Sequence, residues 1–212
     1  MNTQSWRRNA AALALALALP VAQAATAQQT VAKASSSGGH VRSEPDVNFM
    51  SGMIAHHAQA VIMAGWAESH GARLDVRTLC ERIVVGQRDE IGLMQYWLRE
   101  HGEPVPDATS TKMKMKMDGM VHEMLMPGMM SDEEMAALDK ARGPDFDRLF
   151  LEGMIRHHGG ALTMVNELLA ANNAAQDDVV YRMSSDVWAD QTTEIERMTK
   201  MLATVPGAKS AP

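Results

Sequence analysis

The sequence predicts an all-α protein, a four-helix bundle built from a duplicated helical hairpin. Three observations lead there. The string Phe49-Met50-Ser51-Gly52-Met53-Ile54-Ala55-His56-His57 recurs as Phe150-Leu151-Glu152-Gly153-Met154-Ile155-Arg156-His157-His158. Met63 and Met164 follow at the same frame, and an Asp (Asp46, Asp147) precedes each copy. Further along, Gln87-x-x-Glu90-Ile91-x-x-Met94-x-x-x-Leu98 recurs as Gln191-x-x-Glu194-Ile195-x-x-Met198-x-x-x-Leu202, so the repeat covers a whole hairpin. Strand signals are nearly absent, with sparse aromatic and β-branched residues and no alternating runs that stand out. Two hairpins that each expose an apolar face bury those faces together as a bundle.

The elements follow in order. Arg7 and Arg8, the short apolar run Ala11 to Leu19 and the small-residue site Ala22-Gln23-Ala24 read as an export signal over residues 1–24, cleaved after Ala24. The run is too short to span a bilayer. The residues after Arg7-Arg8 fit the twin-arginine route poorly. Residues 25–43, rich in Ala, Gln, Ser and Gly, are expected to form a disordered leader. Glu44-Pro45-Asp46 starts the first helix, because Pro suits the first turn and acids there oppose the helix dipole. That helix is expected to reach about His70, where Gly71 stops it. The second runs from about Leu74 to His101, ended by Gly102 and Pro104.

Residues 103–143 form a Met-rich connection between the hairpins 44–102 and 144–203. Within it, Ser131-Asp132-Glu133-Glu134 is a capping box opening a short helix to about Arg142. Gly143-Pro144 breaks it. The third long helix runs from about Pro144 to Ala171 and the fourth from about Gln176 to Ala203. Residues 204–212 are left as a flexible tail.

Composition narrows the function classes. The formal net charge of −6 argues against nucleic acid, which needs a basic patch. No later segment is long and apolar enough for stable membrane insertion. Cys80 is the single cysteine, so neither an intramolecular disulfide nor a Cys-only metal site is available. It lies in a helical pattern and reads as a small buried apolar residue. Homo-oligomerisation stays open.

The paired histidines carry the chemistry. On a helix, Met53 points between His56, three residues on, and His57, four residues on. Phe49, Met53, Ala60, Ala64 and Ala67 define an apolar stripe that both histidines flank, with Met63 beside it. Met154, His157, His158 and Met164 repeat the set. Gly52, Gly65, Gly153, Gly159 and Gly160 remove bulk nearby. If the first and third helices pack antiparallel, the two sets meet. Imidazole and thioether are neutral ligands that suit copper. The competing reading is hydrogen-bonded packing, with one histidine of each pair facing solvent. Gln87, Glu90, Gln191 and Glu194 either fix the ring orientations or pair with the backbone and each other.

The connection adds Met113, Met115, Met117, Met120, Met124, Met126, Met129 and Met130, with His122 among them. Alternating Met and Lys does not bury one face of a helix. Thioethers select Cu(I) or Ag(I) over harder ions. The competing reading is adaptable apolar filler lying over the bundle. The intervening lysines either repel cations or contact an acidic partner.

The paired Phe-x-x-x-Met-Ile-x-His-His strings, the Met126-Pro127-Gly128-Met129 turn and Gly143-Pro144-Asp145-Phe146-Asp147-Arg148-Leu149-Phe150-Leu151 resemble the domain of unknown function 305 family over residues 44–203. The resemblance implies a ferritin-like bundle, export, and an association with copper tolerance in some members. It implies Met53, His56, His57, Met63, Met154, His157, His158 and Met164 as ligands, with the Met-rich connection.

The expectation is therefore a periplasmic or otherwise exported protein that sequesters Cu(I), or passes it to a copper exporter or oxidase, by ligand exchange and without enzymatic chemistry. Ag(I) suits the same donors. A metal-free envelope stress or interaction module is the alternative. A ferritin-like di-iron redox enzyme fits less well, because the chain holds no Glu-x-x-His motif.

Overall fold

Helix α1 (Glu44–Gly65) begins with a reciprocal cap. Ser43 Oγ accepts the Asp46 N–H, and the Asp46 carboxylate accepts the Ser43 N–H. Ser43 thus belongs to the helix start and not to the leader. A computed structural model describes residues 42–117 and 119–206, with the side chains of residues 115–117 outside the described set. The signal segment 1–24, the leader up to residue 41 and the tail from residue 207 also lie outside it.

Four long helices make the bundle: α1, α2 (Leu74–Glu100), α4 (Pro144–Ala170) and α5 (Asp178–Leu202). The short α3 (Asp132–Lys140) lies in the connection and opens on the predicted capping box at Ser131. One boundary differs from expectation. α1 stops at Gly65, and residues 66–71 continue as tighter turns whose amides mostly reach back three residues. Gly71, at φ +69°, ends that stretch.

The connection also differs. It contains an antiparallel hairpin, β1 (Met113–Met117) and β2 (Met120–Met124), turned through Gly119 at φ +80°. The cause is local. Met-Lys alternation has the two-residue period of a strand, and Asp-Gly is a strong two-residue turn signal.

Two reciprocal contacts tie the repeated hairpins together. Asp46 in α1 accepts the N–H of Ala175 in the α4–α5 loop at 2.7 Å. Asp147 in α4 accepts the N–H of Arg73 in the α1–α2 loop at 3.2 Å. Each duplicated Asp therefore caps the other hairpin's loop. α1 and α4 run antiparallel, since Gly52 faces Met164, Gly153 faces Met63, and the His56 and His157 rings touch between them. The apolar interior divides at that level. One cluster gathers Met63, Phe146, Phe150 and Met154, the other Phe49, Met53, Ile54 and Val165.

The connection crosses α4 through glycine. At Gly160 a side chain would collide with the Pro127–Gly128 backbone, while Gly159 has open space around its Cα. The turn at Pro127–Gly128 can lie against α4 only while position 160 has no Cβ. Gly160→Ala should therefore destabilise the protein by about 1–3 kcal/mol, the usual range for overpacking a core. The neighbouring Gly159→Ala should be neutral or stabilising by up to about 1 kcal/mol through helix propensity. Urea denaturation of the two variants checks this, and equal stabilities would contradict the close crossing.

Candidate metal centre

Four histidines form a single polar layer between the two apolar clusters. His56, His57, His157 and His158 are each fully buried, so neither member of a pair faces solvent. The layer exists because α1 and α4 cross where their repeats align. The His56 and His157 ring centroids lie 3.7 Å apart. Within each consecutive pair the centroids are farther apart, at 6.2 Å for His56–His57 and 6.1 Å for His157–His158.

The hydrogen bonds set the tautomers. His57 donates from Nε2 to Glu90 of α2 at 2.7 Å, and His158 donates from Nε2 to Glu194 of α5 at 2.7 Å. His56 donates from Nε2 to the Pro127 carbonyl at 3.1 Å. A proton on Nε2 leaves Nδ1 as a lone-pair donor in a neutral ring. Among the described residues, Nδ1 of all four histidines is buried without a hydrogen-bond partner, and so is Nε2 of His157. The Gln87 and Gln191 side-chain amides are buried and unpartnered as well. Buried polar atoms are rarely left so.

Two of the rings, His56 and His157, are held neutral. Burial pushes His56 and His157 well below the ordinary imidazole range, and the neighbouring imidazoles push the same way. Among the described residues, no three His, Cys, Asp or Glu side chains converge to hold an ion. A bound ion therefore relies on imidazole pairs, on thioethers, or on both.

Methionines cover the glycines on either side of this layer. A methyl group built at Gly52 would meet Met126 Sδ at 2.9 Å, Met113 Sδ at 3.3 Å and Met164 Cε at 3.3 Å. One built at Gly153 would meet Met130 Sδ at 2.9 Å and Met63 Cε at 3.5 Å. Helix α1 and helix α4 each leave a glycine gap, and sulfur side chains fill it.

The sequence profile of a domain of unknown function, DUF305, matches residues 46–202. The chain belongs to the DUF305 family. A DUF305 protein from Streptomyces coelicolor that is inferred to be secreted is 28% identical, with a TM-score of 0.65, over 79% of this chain and 97% of that one. CopM in its Cu(I)-bound form is 25% identical, with a TM-score of 0.58, over 76% of this chain and 98% of that one. CopM co-crystallised with silver is 26% identical, with a TM-score of 0.56 and the same coverage. No curated protein matches the chain.

Within this DUF305 domain the expected donors fall in different places. His56, His57, His157, His158, Met63 and Met164 gather around the layer, with Met113, Met126 and Met130 brought in by the connection. Met53 and Met154 are fully buried in the apolar clusters, which also hold Met63, Met130 and Met164. Met120 and His122 sit exposed on β2, and Met124, also exposed, lines a groove with Met113, Met126 and Met164. Met129 lies beside the turn, where its sulfur accepts the Met126 N–H at 3.2 Å. Met115 and Met117 lie on β1, with side chains outside the described set. Gly65 and Gly159 have open space around them and create no close approach. Cys80 is buried at a distance from the histidines' hydrogen-bond network, and burial pushes its thiol up, which keeps it neutral.

Sequence reasoning overlooked Gln59. Its amide donates to the Met130 carbonyl at 2.9 Å and accepts the Met130 N–H at 2.7 Å, clamping the connection to α1. A polar side chain two residues past the His pair, inside an apolar stretch, was the available signal.

Acid should weaken the metal-free protein through His56 and His157. Above about pH 6.5, the ordinary imidazole value, folded and unfolded chains both carry these rings neutral and stability is full. Below it the unfolded chain binds protons that the folded chain refuses. Stability then falls by up to about 1.4 kcal/mol per pH unit for each ring, until the folded values are reached. Urea denaturation between about pH 7.5 and 5.5 should show this loss, with a shallower slope in His157→Gln. A flat profile in the wild type would contradict neutral burial.

Proposed function

We propose that this protein is an exported copper-binding protein that holds Cu(I) in its histidine layer and releases it by ligand exchange, contributing to copper tolerance. The observation that carries this reading is the set of four buried, unpartnered Nδ1 atoms, three of them on rings whose Nε2 is already engaged by a hydrogen bond. A lone pair in an apolar interior needs a proton or a cation, and at His56 and His157 burial disfavours the proton. The known Cu(I)-bound and silver-bound forms of CopM, a relative over most of its length, support the same reading.

The ring spacing supports one ion per consecutive pair. A nitrogen lies about 1.1 Å from its ring centroid and binds a metal at about 2.0 Å, so two imidazoles sharing one ion in a line have centroids about 6 Å apart. His56–His57 and His157–His158 meet that spacing at 6.2 and 6.1 Å. His56 and His157, at 3.7 Å, are too close for it.

Charge favours a monovalent ion. Two such ions bring two positive charges into the layer, and Glu90 and Glu194 offset them through the rings they hold. A divalent pair would leave two charges uncompensated in a desolvated site, at a cost of several kcal/mol each. The role in the cell would be sequestration, or delivery to an exporter or an oxidase. No bond to carbon, oxygen or phosphorus needs to form or break. No helix among the described residues is long and apolar enough to cross a membrane.

Anaerobic Cu(I) titration against a competing chelator tests this. The variant carrying His56→Ala, His57→Ala, His157→Ala and His158→Ala should lose the two tightest equivalents. The double variant Glu90→Gln and Glu194→Gln should keep the stoichiometry and bind about 10–100-fold more weakly, as when ring-orienting partners are removed elsewhere. Copper at about 100 times its dissociation constant should raise wild-type stability by about 2.7 kcal/mol. Unchanged binding in the histidine variant, or no copper binding by wild type, would leave a metal-free envelope module as the better reading.

A further inference from the structure

The geometry points to a second, thioether-only site for a soft monovalent cation, formed by Met113, Met126 and Met164 over Gly52. It shares no imidazole with the histidine layer. The three methionines come from β1, from the turn after β2 and from α4, so only the folded chain brings them together. Both the Met126 and Met113 sulfurs lie close to the point where a Gly52 side chain would begin, at 2.9 and 3.3 Å, with the Met164 methyl at 3.3 Å. The two sulfurs are thus within about 6 Å of each other. Two sulfurs on one metal stand up to about 4.6 Å apart, given bonds of about 2.3 Å. Methionine turns about three side-chain bonds, so a movement of an ångström or two closes the set.

Two observations separate this from packing. The same three methionines, joined by Met124 of β2, line an open groove of about 610 Å³, with Met126 half-buried and Met113 and Met164 buried along its wall. Met129 and Met130 of the connection do not line it. Met130 fills the gap over Gly153 inside the core, and the Met129 sulfur is engaged by the Met126 N–H. The groove also carries Glu167, one carboxylate to offset one monovalent charge among neutral donors.

Neutral thioethers select Cu(I) or Ag(I) and reject hydrated hard cations. The site sits one helical turn from His56, and Met126 precedes the Pro127 carbonyl that holds the His56 ring. An ion captured in the groove is therefore next to the histidine layer before it enters.

Ag(I) is the probe, because it has the same ligand preference and no redox step. The full mature chain, labelled with ¹³C at the methionine methyls, is titrated with silver and its ions are counted by native mass spectrometry. The methyl signals of Met113, Met126 and Met164 should move together in one titration step, while that of Met120 stays in place. The variant Met113→Leu, Met126→Leu, Met164→Leu preserves side-chain volume closely. It should carry one silver ion fewer per chain and keep the ions held by histidine. The histidine variant should still shift the three methyls, even if the histidine layer binds nothing. Three methyls unmoved in wild type, or an unchanged silver count in the leucine variant, would overturn the site.

Discussion

Everything in this bundle is arranged around one constraint, the burial of four imidazoles in a layer that splits the apolar core. An unpaired polar group costs about 1–3 kcal/mol when desolvated, so such a layer is tolerable only with partners. The fold supplies three of them. Glu90 and Glu194 reach in from α2 and α5, and the Pro127 carbonyl reaches in from the connection. Each accepts a hydrogen bond from Nε2, and each thereby leaves Nδ1 as the ring's unpartnered nitrogen. The hydrogen bonds that make the layer bearable are the same ones that make it a donor set.

The duplication explains the symmetry of the layer, and its breaking explains the connection. Gln59 and Gly160 occupy equivalent positions two residues beyond their His pairs. Gln59 grips the Met130 backbone with two hydrogen bonds, and Gly160 lets the Pro127–Gly128 backbone lie against α4. A true repeat would have offered either two clamps or two gaps. One of each threads a single strand of chain across both helices, with Met126 on one side of the layer and Met130 on the other.

Much of this was legible in the sequence because it is written twice. Helical periodicity, caps and the recurrence of Met-Ile-x-His-His suffice for the bundle and for the meeting of α1 with α4. The hairpin β1–β2 was overlooked, although Met-Lys alternation and Asp-Gly carry its signal, because a methionine run invites a chemical reading before a conformational one. The roles of Asp46 and Asp147 were not legible. Their recurrence is visible, but their partners, the Ala175 and Arg73 amides, lie more than a hundred and more than seventy residues away, and backbone groups leave no mark in a sequence. The split among the methionines was hidden for a related reason. Met53 and Met126 are alike as residue types, and only the folded chain seats one in the core and the other over the gap at Gly52.

Rigid and adaptable donors have different uses, and the structure keeps them apart. Three of the four imidazoles are held by carboxylates on packed helices and by the Pro127 carbonyl of the connection, so they are organised before any ion arrives, which lowers the ordering cost of binding. The thioethers over Gly52 come from the connection and from α4, and methionine is the more adaptable side chain. A preorganised site binds tightly but exchanges slowly, because no ligand can leave without breaking its hydrogen bonds. A flexible site binds more weakly and exchanges quickly. With the proposed thioether site beside the proposed histidine site, a soft cation would have a stepping point next to the buried layer.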